Sequence, residues 1–153
     1  MTFIGGYLQI CGNNTLTGLE GLENLTSIGG NLFIRANYNL NSLEGLAGVD
    51  FIGGYLLIGW RFGGNHSLIS LTGLEGVTSI GGGLVIMENS SLTNLTGLEG
   101  VTSIGGYLSI WGNNALTSLI GLDNIEAGSI DSLYIYNNIL LSNCDVKSIC
   151  EYL

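Results

Sequence analysis

His66 is the only histidine of the chain, and it stands between Asn65 and Ser67 beside a glycine-rich stretch. A serine, a histidine and a carboxylate held in register would transfer acyl groups by nucleophilic attack. Nothing in the local sequence orients His66, so a plain loop histidine is expected and no catalytic residue is assigned. The chain is read as not an enzyme.

The carboxylates form columns. Glu23, Glu75, Glu99 and Asp123 recur at equivalent places, with Ala47 in the second copy, and Glu20 and Glu44 form a shorter column. Stacked carboxylates could hold calcium, which takes oxygen ligands. The glycine- and aspartate-rich calcium motif GGxGxD is missing, so a solvated acidic edge is expected. Cys11, Cys144 and Cys150 lack zinc-ligand spacing. No metal and no cofactor are expected. Cys144 and Cys150 are a candidate disulfide, the alternative being buried thiols or thiols paired outside this chain. Cys11 reads as a free thiol at an outward or edge position. The glycine pairs do not make a phosphate loop, because no lysine or helix follows them.

Twelve acids stand against three bases, a formal charge of −9. A phosphate backbone needs clustered Lys and Arg, so no nucleic-acid partner is expected. No run of about 20 apolar residues is present, so no membrane insertion is expected. The beginning MTFIGGYLQI has no basic segment and no cleavage site, unlike a signal peptide. The chain is expected to be a piece of a longer protein.

What must position any site is a repeat. The phrase SIGG or FIGG places isoleucines at Ile4, Ile28, Ile52, Ile80 and Ile104, with a degenerate copy at Ile130; the intervals are 24, 24, 28, 24 and 26 residues. Each copy carries L-x-I-x-x-N-x-x-L, as in Leu8, Ile10, Asn13 and Leu16. In the third copy Asn65 follows Ile58 by seven residues instead of three, and the surplus lies within Gly59–Gly64. Leu-x-Ile alternation puts both side chains on one face of a short strand. The later spacing of three, Leu16, Leu19, Leu22, Leu25 and Ile28, suits bends, short strands or a 3₁₀-like path and fits an α-helix poorly. Stacked windings would bury each other's apolar faces, and a stacked asparagine would bond backbone groups left open by a corner. The glycine columns suit positive φ or close backbone approach. The reading is a mainly β, parallel solenoid of about six coils of roughly 24 residues over residues 1–143, closed by a short capping helix over 144–153, with Asp145 as its N-cap.

The unit LTSIGGxLxIxxNxxLTxLxGLEGV resembles the receptor L-domain and related leucine-rich repeats, as they occur in secreted or cell-surface proteins of Bacteroidetes bacteria, over about residues 2 to 143. The resemblance implies a right-handed solenoid and an extracellular or cell-surface setting. It implies no reaction and supplies no catalytic residues.

The outside of the L-x-I strand is the informative surface. Its columns read Gln9, Phe33, Leu57, Val85, Ser109, Tyr134; then Cys11, Arg35, Gly59, Met87, Trp111, Tyr136; and, ahead of the leucine, Tyr7, Asn31, Tyr55, Gly83, Tyr107, Ser132. A core does not need aromatics there, although they also favour strands. The candidate contact residues are Phe33, Arg35, Trp60, Arg61, Phe62, Trp111, Tyr134 and Tyr136. The function expected is a non-catalytic module recognising a protein or a carbohydrate. The alternative is a structural spacer or self-association domain that packs against another domain or forms a homodimer. Ice binding by the Thr26, Thr78, Thr102 column is disfavoured because Phe3, Asp50 and Phe51 interrupt a flat array.

Overall fold

The computed structural model describes residues 2–142 together with Val146 and Ile149. Every strand pairing in it is parallel. Two sheets run along a stack of coils. The first sheet joins β1 (Thr2–Ile4), β3 (Leu25–Ile28), β5 (Phe51–Ile52), β7 (Ser79–Ile80) and β9 (Ser103–Ile104), in that spatial order. The second sheet joins β2 (Leu8–Cys11), β4 (Leu32–Arg35), β6 (Leu56–Ile58), β8 (Leu84–Met87), β10 (Tyr107–Trp111) and β11 (Ser132–Tyr136). The chain is therefore a mainly β, parallel solenoid of about six turns, and its helix content among described residues is slight.

Register follows the repeat residue by residue. Leu8 pairs with Leu32, Leu32 with Leu56, Leu56 with Leu84, Leu84 with Leu108 and Leu108 with Leu133. The alternating isoleucines do the same, and both columns turn inward. From the second coil onward most of these side chains are fully buried. The stretch with apolar spacing of three folds as successive turns, and Leu40, Leu43, Leu46 and Val49 all enter the core. Each buried aliphatic side chain stabilises by about 1.5–3 kcal/mol relative to exposure, and coils gain it only from their neighbours. In the first coil Ile4, Leu8, Ile10, Leu16 and Leu22 are only partly buried. Of the expected capping helix, only Val146 and Ile149 are described; both are buried, and the Ile149 N–H donates to the Val146 carbonyl at 3.0 Å. The Cys144–Cys150 pairing lies outside the described residues.

Glycine has two different jobs. At Gly29, Gly53, Gly81 and Gly105 a Cβ would run into the carbonyl of the equivalent glycine one coil earlier, so the corner closes only without a side chain. Gly21, Gly73, Gly97 and Gly121 instead hold φ between 102° and 111°, where L side chains are strained. Each of these turns is fastened by the carboxylate two residues on. The Gly21 N–H donates to Glu23 at 2.8 Å, Gly73 to Glu75 at 2.8 Å, Gly97 to Glu99 at 2.7 Å and Gly121 to Asp123 at 3.2 Å. In the second coil, where Ala47 replaces the acid, Glu44–Leu46 forms a 3₁₀ turn. Gly45 there leaves the left-handed region and serves close approach to Leu19.

At the other corner the asparagines form a continuous ladder. The Asn37 carboxamide donates to the Ile10 carbonyl at 3.0 Å, and its oxygen accepts the Asn13 backbone N–H at 3.1 Å. Asn65, Asn89, Asn113 and Asn138 repeat this pattern with Ile34, Ile58, Ile86 and Ile110. The residue ahead of the asparagine takes positive φ in Gly12, Ala36, Glu88, Gly112 and Asn137. The third coil differs: there the positive φ has moved to Gly59, the start of the inserted loop.

Candidate functional site

The second sheet presents its outward residues in rows set by the register. Phe33 lies beside Leu57, Leu57 beside Val85, Val85 beside Ser109 and Ser109 beside Tyr134. Met87 lies beside Trp111, and Trp111 beside Tyr136. The loop 59–64 leaves the end of β6 at the level of this second row. It springs from Gly59 and closes with the Gly63 N–H on the Trp60 carbonyl at 2.9 Å. The Asn65 side chain then re-enters the ladder, so four extra residues project while the winding continues.

The loop divides the face into two cavities. One, of about 240 Å³, is lined by Phe33, Arg35, Leu57 and Trp60. The Arg35 guanidinium carbon lies 5.2 Å from the Trp60 ring centre. Its Nε is buried without a hydrogen-bond partner. The other cavity, of about 320 Å³, is lined by Arg61, Trp111, Tyr136 and Asn137. Trp111 and Tyr136 stack there at 5.6 Å with planes 8° apart, a spacing at which aromatic pairs attract.

The eight sequence-derived contact residues thus separate into groups. Phe33, Arg35 and Trp60 meet at the first cavity, and Arg61, Trp111 and Tyr136 at the second. Tyr134 joins a different row, edge-on to Tyr107 at 6.3 Å. Phe62 stands out on the loop, 84% exposed, with the Arg61 guanidinium 5.6 Å from its ring centre. Tyr55, Tyr107 and Leu57 stand in the outward columns read from the sequence but not among its eight contact residues, and the structure places them on this face too. Tyr55 and Tyr107 sit two coils apart with ring centres 5.7 Å from each other. They meet because Gly83 interrupts their column, and a Cβ on Gly83 would lie 2.9 Å from the Tyr55 ring. A glycine within a tyrosine column was the available signal. Val85 and Met87, although outward in register, are 3% and 8% exposed, at the middle of the sheet next to the loop.

The remaining candidates for chemistry fall elsewhere. His66 stacks on Tyr38 at 5.2 Å, and its Nδ1 lies 3.2 Å from the Ser90 hydroxyl. No carboxylate contacts this pair among the described residues. Among the described residues no three His, Cys, Asp or Glu side chains converge as a metal site would require. The Thr26, Thr78 and Thr102 hydroxyls donate to carbonyls of the preceding coil. Cys11 is an exposed free thiol. No helix among the described residues is long and apolar enough to cross a membrane.

No protein-family model matches the chain, and no curated protein or solved structure is significantly similar to it.

Proposed function

We propose that the chain is a non-catalytic binding module of an exported surface protein, related to receptor L-domain-like leucine-rich repeats, and that it captures a glycan on the outward face of its six-stranded sheet. One observation carries the reading: an aromatic and a guanidinium line each of two shallow cavities on one face, one on either side of the inserted loop. Aromatic rings held on the sheet and on its inserted loop offer the apolar faces of sugar rings a platform. Cavities of about 240 and 320 Å³ lie at or below the low end of small-molecule sites, roughly 300–1,000 Å³. Two of them in succession favour a chain of ring-sized units over one compact ligand. A protein partner would use the same aromatic and arginine anchors, and it is an outcome of the test.

Probing glycan and protein arrays with the intact chain is the test. Glycan capture lost in Trp60→Ala and Trp111→Ala, with circular dichroism unchanged, would support the proposal. Capture of proteins only would replace the ligand class. A homodimer in light scattering that hides Trp60 from fluorescence quenchers would support the self-association reading instead.

A further inference from the structure

From this aromatic face, and resting on the glycan-binding reading, we propose that the ligand is an acidic polysaccharide whose sugar carboxylates are held by Arg35 and Arg61.

The chain holds three basic residues against twelve acids. Its two arginines are both on this face, one lining each cavity. In so acidic a chain, Coulomb attraction favours pairing each scarce cation with a carboxylate. Yet among the described residues neither guanidinium is ion-paired, and each lies against an aromatic ring. Glu23, Glu75, Glu99 and Asp123 are engaged as turn caps on another side of the coil. Glu88 stands at the same corner as the site, its carboxylate directed toward Gly112. The site is thus a local cationic pair in a chain of net charge −9.

Arg35 supplies the sharper constraint. Its Nε is buried and unpartnered. With Nε sealed from solvent, a ligand in the cavity meets the outer amino groups of the guanidinium, whose planar fork suits a carboxylate. The guanidinium lies over the Trp60 ring, 5.2 Å from its centre, close enough for one sugar unit to span both. A uronic acid meets this demand, because its carboxylate carbon is bonded directly to the ring that stacks. A sulfate ester sits further out, on a bridging oxygen. The second cavity also brings an arginine beside aromatics, Arg61 with Trp111 and Tyr136, while the Arg61 guanidinium itself lies over Phe62. Two such subsites on one face engage two acidic units of the same chain, so their contributions multiply.

The test is calorimetric titration of the intact chain with polygalacturonate, alginate and hyaluronate, each beside its carboxyl-reduced, neutral form, and with dextran sulfate. At least one uronate polymer should bind tenfold or more tightly than its reduced form, and less tightly as salt rises. Arg35→Gln should lose that tenfold preference, Arg35→Lys should keep part of it, and Arg35→Gln with Arg61→Gln should lose more than either alone. Equal binding of acidic and reduced forms, binding of none of the uronates, or stronger binding of dextran sulfate would overturn the proposal. Unaltered uronate affinity in a folded Arg35→Gln variant would do so as well. Loss of neutral-glycan capture in Trp60→Ala would, in that event, leave the aromatic-face reading standing.

Discussion

The carboxamide oxygen of Asn65 accepts two hydrogen bonds from Asn37, one from its backbone N–H at 3.2 Å and one from its side-chain amide at 3.3 Å. The inserted loop lies just before Asn65, and the ladder passes through it unbroken. The corner is therefore defined by side-chain amides handed from coil to coil, and the length of chain between them is free to vary.

Asn89 tests this. It accepts from the Asn65 backbone and side chain, and donates to the Ile58 and Met87 carbonyls, all out of water. Asn89→Ala strands several of these groups, each at about 1–3 kcal/mol. A loss of roughly 3 kcal/mol or more in urea unfolding is expected. Asn13→Ala, at the exposed first coil, removes one side-chain contact with Asn37 and should cost less than about 1 kcal/mol. Equal losses at the two positions would contradict the ladder.

The glycine corners make a second prediction. Gly81→Ala drives a Cβ into the Gly53 carbonyl and should destabilise by about 1–3 kcal/mol, the usual range for overpacking. Gly6→Ala meets nothing within 4 Å. With its unfolded chain stiffened, that variant should be neutral or up to about 1 kcal/mol more stable. Melting temperatures of both variants would decide, and a stable Gly81→Ala would refute close approach as the reason for the column.

Glu23 links the turns to pH. Its carboxyl titrates below the usual value of about 4.5 because the Gly21 N–H, and then its own backbone N–H, hold the ionised form. A lowered folded-state value means stability is complete above the ordinary glutamate range and lost as pH falls through the lowered value. Glu23→Ala should therefore melt lower than the parent at pH 7, with the gap closing toward pH 2 to 3. A gap that stayed constant with pH would mean the carboxylate does not fasten the turn.

Excising Trp60–Gly63 tests the modularity of the site. The remaining Ile58-Gly59-Gly64-Asn65 restores the ordinary spacing of the other coils. The shortened chain should keep its far-ultraviolet circular dichroism and unfold cooperatively, while glycan affinity drops at least tenfold. Loss of folding would show that the loop belongs to the frame.

Much of the frame was open to sequence reasoning because like residues stack on like. Leu8, Ile10, Asn13 and their successors announced the six-stranded sheet and the asparagine corner directly. The first sheet was harder to read. Its strands are as short as Phe51–Ile52 and Ser79–Ile80, and two residues carry no period. The role of Glu75 was also hidden, since a column of acids looks the same whether it faces water or caps Gly73. At the site, composition picked out Trp60, Arg61 and Trp111. It could not separate Tyr134 from Tyr136, one residue apart on either side of Ile135, because their grouping depends on which ring the neighbouring coil offers. The meeting of Tyr55 with Tyr107 needed Gly83 to be read as a gap.

The 28-residue third coil carries a consequence for how such a molecule can diversify. Tandem duplication of a winding lengthens the rod by one strand spacing, about 4.8 Å, without redesign of what is already there. Expansion of a single corner changes the surface the rod presents without altering its length. Length and surface can then be adjusted by separate genetic events, and neither need compromise the other.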